Sequence, residues 1–226
     1  YNSLNIKEIT DNIEYFFSDK LDYVIECAGH QSVIDHGETV LKKGSNFLIT
    51  SIGSLTNESL FNKLNELSKK HNKKIIIPSA GIGSLDILSA ASHGVLKKVE
   101  MTVRKSSGSW YGTIAEKKFD LEKPNKNLLL FEGSVKEGAK LYPQNVNISA
   151  AVAFAGLGLE KTKLKIISDS SIKTHKISIK AKGDFGEYFF EENVIPSNEN
   201  EKTGKIVSLA LIKTLKNLTT NFVIGN

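Results

Sequence analysis

Cysteine is almost absent from this chain of 226 residues: Cys27 stands alone, which excludes an intrachain disulfide framework and any metal site built from several cysteines. A reducing compartment, the cytoplasm, is compatible with that usage. No apolar run approaches the ~20 residues of a membrane span, and the first residues carry no signal-peptide pattern. Internal repeats and low-complexity segments are also missing. The third glycine of a dinucleotide fingerprint is missing too. In "KIIIPSAGIGSLD" (74–86) the glycines fall at 81 and 83, but the next motif position is Asp86. A carboxylate there would face the pyrophosphate where a small residue is wanted, so this loop is not a phosphate-gripping turn.

What is present describes an ordinary folded chain, with 40% hydrophobic and 24% charged residues. The formal net charge is +5, but the lysines are scattered as solvated faces ("LKKG", "SKKHNKK", "LKKVE") and are not gathered with aromatics. Nucleic-acid binding is therefore disfavoured, and anionic small substrates or plain solubility explain the excess as well.

Up to about residue 95 helix and strand signals alternate. "NIKEITDNIEYFF" aligns Ile9, Ile13 and Phe16 on one helical face, with Asn5 and Glu8 spaced as a capping box. Short apolar strands are expected at 22–26, 46–50 and 74–77, each followed by a helix, which implies βαβ units and a parallel sheet. After residue 95 alternating strands dominate, with helices only at "SVKEGAKLY" and "NVNISAAVAFAG" before an amphipathic terminal helix carrying Val207, Leu211 and Leu218 on one side. That pattern predicts a mixed or antiparallel sheet covered on one side by helices.

Each parallel strand is followed by a small-residue loop: "CAGH", "SIGS" and "PSAGIGS". In a parallel sheet these share the carboxyl edge, where open α/β folds bind ligands. Alternation singles out two further residues. In "THKISIKAK", His175 leads the face of Ile177, Ile179 and Ala181; in "VEMTVRK", Val99, Met101 and Val103 share a face that ends at Lys105 while Arg104 points away. An imidazole that titrates near neutral pH and an ammonium suit an anionic substrate, although either one taken alone reads more readily as a strand-end residue reaching solvent. Cys27 reads more readily as a small core hydrophobe than as a nucleophile. His36, His71 and His93 show no ligand spacing, while His30 borders the "CAG" loop. Asn145 or Asn147 can cap the helix after Pro143.

In order and spacing, "VIECAG" (24–29), "SIGSL" (51–55), "PSAGIGSLD" (78–86), "TVRK" (102–105), "FEGS" (131–134), "PQNVNISAAVAFAG" (143–156), His175, "GDFG" (183–186) and "PSNENEKTG" (196–204) resemble the L-aspartate dehydrogenase family across about 200 residues. The resemblance implies an α/β protein. A Rossmann-type NAD(P)-binding domain would span 1–95 and be rejoined by 202–226, and an α+β mixed-sheet domain for substrate and dimer contacts would span 96–201. It implies NAD- or NADP-dependent oxidation of L-aspartate to iminoaspartate, which hydrolyses to oxaloacetate and ammonia or passes to quinolinate synthesis for NAD biosynthesis. The family's catalytic histidine falls on His175. Its cofactor positions fall on Ala80, Gly81 and Asn145, with Cys27, Ala28 and Gly29 on the neighbouring loop. Lys105 is the carboxylate partner by the face argument, no metal is implied, and a homodimer is expected.

Two departures stand out. "PSAGIGS" replaces the family's usual "PSGAIGG", and Lys173 stands where an asparagine usually precedes the histidine by two. The family's G-x-G-x-x-G unit falls before Tyr1, and a segment carrying it is expected upstream, because a Rossmann sheet without its central strand leaves an edge unpaired. Homoserine dehydrogenase-like or dihydrodipicolinate reductase-like chemistry, or a non-catalytic binding module, are the competing readings.

Overall fold

The computed structural model describes residues 8–79, 81–122, 127–197 and 204–225. Three parallel strands come first, β1 (Tyr23–Glu26), β2 (Asn46–Ile49) and β3 (Ile75–Ile76), in the order β1-β2-β3. Two helices connect them. α2 (His30–Lys42) follows β1, and α3 (Glu58–Lys70) follows β2 after a 3₁₀ turn at Ile52–Thr56. Helix α2 buries Val33, Gly37, Val40 and Leu41; Gly44, at φ +85°, then turns the chain in the left-handed region that glycine tolerates. Asn57 caps α3 by accepting from the Leu60 N–H, and Leu64 is its fully buried contact. These faces and β2 make one apolar core around Val33, Leu41, Phe47, Ile49, Leu55 and Leu64.

The N-terminal helix is shorter than its periodicity predicts. α1 runs only over Ile13–Phe16, capped by the Asn12 carboxamide, which accepts from the Glu14 and Tyr15 N–H groups. Ile9, Ile13 and Phe16 are exposed, although the Phe16 ring meets the buried Phe17 ring edge-on with centroids 5.0 Å apart. Asn5 lies outside the described residues.

After α4 (Leu85–Ala91) the second sheet begins at Leu96, close to the expected point. Its five strands are β4 (Leu96–Lys105), β5 (Asn127–Ser134), β6 (Lys163–Asp169), β7 (His175–Gly183) and β8 (Gly186–Val194), in the order β5-β6-β4-β7-β8. β4 and β6 run parallel, and β4–β7, β5–β6 and β7–β8 are antiparallel. The inner face carries Val99, Met101, Val103, Leu164, Ile166, Ile177, Ile179 and Ala181, all buried, against α6 (Val135–Leu141) and α7 (Asn147–Ala155). The outer face pairs Lys176 with Glu191 and Lys165 with Glu132. Ser134 and Glu137 form a reciprocal capping box that starts α6.

Sequence periodicity did not foresee two short helices, α5 (Ile114–Lys118) and α8 (Gly158–Lys161). Both are single turns too brief to show a stripe. Helix α7 is the joint between the sheets. Its small residues Ser149, Ala150, Ala151 and Ala153 are buried, and Phe154 stacks on Phe61 of α3 with ring centroids 5.2 Å apart. The last helix, α9 (Lys205–Thr219), half-buries Val207, Leu211 and Leu218. Val207 lies against Gly81, where an added Cβ would be 3.5 Å from its methyl.

Candidate active site

The parallel pairing brings the ends of β1, β2 and β3 to one edge, and a buried carboxylate organises it. Glu26 closes β1 at 4% exposure. Its Oε1 accepts from the Ala28 N–H (2.7 Å), the Gly29 N–H (2.8 Å) and the Ser51 hydroxyl (3.0 Å), and its Oε2 accepts from the Ser51 N–H (2.9 Å). A buried carboxylate demands such donors, and here they come from two loops at once, so both are held in fixed shape. Gly29 permits the turn with φ +108°. Sequence reasoning passed over Glu26; a carboxylate ending an apolar strand, directly before a small-residue loop, was the available signal.

Facing this edge, the mixed sheet ends in the two residues picked out by alternation. Lys105 and His175 are both 6% exposed, on adjacent strands, one step beyond the paired Arg104 and Lys176. The Lys105 ammonium donates to Asn145 Oδ1 at 3.0 Å and sits 5.8 Å from the centroid of the buried Trp110 ring. Burial first, and the Lys105 charge second, lower the His175 pKa to about 4.

Between the two sheets lies a cleft of about 770 Å³, mouth included, lined by Thr50, Ser79, Gly81, Lys105, Asn147 and His175 among others. Asn145 and Ile177 also border it. The predicted residues therefore divide. His175, Lys105, Asn145 and Gly81 meet in one cavity. Cys27, Ala28 and Gly29 sit on the same sheet edge but do not line it, and Ala80 lies outside the described residues. Cys27 is exposed and is not the small core hydrophobe its sequence setting suggested, and desolvation followed by the Glu26 charge raises its thiol pKa. Neither asparagine of "NVN" caps α7: its N-cap is Val146, without a side-chain bond. Their carboxamides are taken by tertiary partners, Lys105 for Asn145, and the Gly53 N–H and His30 for Asn147.

This cleft fits the nicotinamide end of a dinucleotide on structural grounds. Its parallel-sheet wall is made of small residues and backbone, and its far wall turns a cation and an imidazole inward. A parallel βαβ sheet set against a mixed sheet with the site between them is the arrangement of two-layer nicotinamide-dependent oxidoreductases. Comparison with known proteins makes the class specific. Residues 86–218 match the model of the aspartate dehydrogenase C-terminal domain, and residues 2–78 match that of the homoserine dehydrogenase NAD-binding domain. The L-aspartate dehydrogenase of Ralstonia nicotianae is 32% identical over 200 residues, 88% of this chain and 75% of the relative. That of Methanosarcina acetivorans is 34% identical over 207 residues, 91% and 76% respectively. The solved aspartate dehydrogenase of Thermotoga maritima shares the fold with a TM-score of 0.75 at 24% identity, over 98% of this chain and 83% of that one. An archaeal homoserine dehydrogenase solved with NADPH shares it more loosely, with a TM-score of 0.55 at 10% identity over 91% and 73%. The chain belongs to the aspartate dehydrogenase family.

Proposed function

We propose that the protein oxidises L-aspartate with NAD or NADP to iminoaspartate, which is hydrolysed to oxaloacetate and ammonia or handed on to quinolinate synthesis for NAD. The observation that carries this reading is the buried pair Lys105 and His175, with Asn145 bonded to Lys105, lining the cleft beside Gly81. Relatives named L-aspartate dehydrogenase at 32–34% identity point the same way.

A bound nicotinamide supplies the acceptor for the hydride that leaves the aspartate Cα. The chain does the rest. Lys105, oriented by Asn145 and by the face of Trp110, binds a substrate carboxylate, and a charge-assisted bond in a buried setting is a strong anchor. His175, neutral in the free protein, accepts a hydrogen bond or a proton from the amine as it becomes an iminium. It then holds the water that attacks the imine carbon. Asn145, Asn147 and Gly81 would hold the nicotinamide half of the cofactor, with the Cys27–Gly29 loop farther along the same sheet edge, and Ala80 is assigned to the cofactor by its family position alone.

In this reading 1–95 with 202–226 bind the cofactor, and 96–201 bind substrate and pair as a homodimer in the cytoplasm. Among the described residues no helix is long and apolar enough to cross a membrane. The test is reduction of NAD and of NADP by the full chain with L-aspartate, D-aspartate, L-glutamate and L-homoserine as separate substrates. L-Aspartate turnover far above the others is expected. Preferential turnover of L-homoserine overturns the reading.

A further inference from the structure

His30 opens α2 at the edge of the cofactor loop, and its Nε2 lies 2.8 Å from Asn147 Oδ1, across the two sheets. The Gly53 N–H donates to the same oxygen, also at 2.8 Å. A backbone N–H only donates, so the shared atom is the carboxamide oxygen and not its nitrogen. An amide oxygen only accepts, so His30 must carry its proton on Nε2. Two donors therefore hold the oxygen toward the parallel sheet. The planar amide then has its Nδ2–H₂ on the other limb, and Asn147 is a residue of the cleft wall.

The approach is close enough to depend on glycine. A Cβ at Gly53 would stand 2.7 Å from the His30 ring and 2.5 Å from a Val146 methyl, so any side chain there pushes the ring off Asn147. His30 itself is only half-buried and lines neither core. Its described polar partner is across the cleft, not within its own helix.

We infer that His30 is a positioning residue of the active site. Its Nε2–H fixes the Asn147 carboxamide so that an N–H donor is presented to an acceptor oxygen of the bound cofactor, the nicotinamide carboxamide. The inference rests on the dehydrogenase reading above, but it concerns cofactor geometry and not the identity of the amino acid.

The test is titration of the full chain with NADH and NADPH in the absence of aspartate, with melting curves in parallel. The variants are His30→Phe, His30→Gln, Asn147→Ala and the double variant His30→Phe/Asn147→Ala. His30→Phe keeps the volume and loses the donor, and should weaken the preferred cofactor about tenfold, the loss of one well-made hydrogen bond to a positioned group. His30→Gln restores an N–H donor and should recover most of that loss. If His30 acts through Asn147, the double variant binds no more weakly than Asn147→Ala. Additive losses, or a lowered melting temperature with unchanged affinity in both His30 variants, overturn the inference. Normal cofactor binding without aspartate turnover in the wild type instead defeats the substrate reading and leaves this result standing.

Discussion

Lys105 and His175 end the same buried face from neighbouring strands, and burial together with the lysine's charge holds the imidazole down to about 4. The sign matters for mechanism. With its pKa lowered from 6.5, His175 is neutral in the free protein across the physiological range and is a weak base there. A substrate carboxylate on Lys105 cancels the opposing charge, so the imidazole becomes more basic when substrate binds. The pH dependence of kcat/KM reports the free protein and that of kcat the loaded one. The acid limb of kcat should therefore lie at higher pH than any His175-dependent limb of kcat/KM. Coincident limbs would contradict this coupling.

Lys105→Met removes the charge and keeps much of the stem. The KM for L-aspartate should rise roughly 10- to 100-fold, the range for a lost hydrogen bond to a charged group, while NADH affinity changes little. The His175 pKa, followed by NMR in the free variant, should rise. An unchanged aspartate KM would show that Lys105 does not touch the substrate.

Glu26→Gln tests the carboxylate that holds the two loops. The glutamine amide can accept at one atom only, so its nitrogen faces N–H or O–H donors that Glu26 satisfied. A loss of about 1–3 kcal/mol is expected, seen as a melting temperature lower by several degrees and accompanied by weaker cofactor binding. A variant with wild-type stability would mean the loops are held by other contacts.

Glu192 offers a stability test with the opposite sign. It lies on the inner face of β8, paired with Ile177, its Oε1 is buried without a hydrogen-bond partner among the described residues, and burial raises its pKa to about 7. A raised carboxyl pKa means the folded protein binds the proton more tightly than the unfolded chain. Stability from this group is thus full below about 4.5 and is lost as pH rises toward 7. Glu192→Gln should raise the melting temperature at pH 8 by about 2–4 °C, a discounted figure for a partly exposed group, and should change it little at pH 5. Equal effects at both pH values would rule out this origin.

Much of this architecture was legible in the chain because period-2 and period-3.6 patterns report burial directly. The alternation of Val99, Met101 and Val103 up to Lys105, and of Ile177 and Ile179 after His175, placed both polar residues at the ends of buried faces, where they stand. The small-residue loops after the three strands likewise announced the edge that the parallel pairing builds. What depended on the third dimension was not legible. Asn147 reads locally as a cap, yet its carboxamide is claimed by Gly53, 94 residues away, and by His30, 117 away. Pattern also overestimated α1, since Ile9, Ile13 and Phe16 form a stripe that stays exposed among the described residues.

The most direct measurement is steady-state oxidation of L-aspartate by the full chain and its His175→Ala variant, with NADH binding and melting recorded beside it. The variant should keep its fold and its cofactor affinity while kcat falls by ~10²-fold or more, the range for a positioned acid–base group. A variant that binds NADH normally and turns over aspartate at close to the wild-type rate from pH 6 to 9 would contradict it.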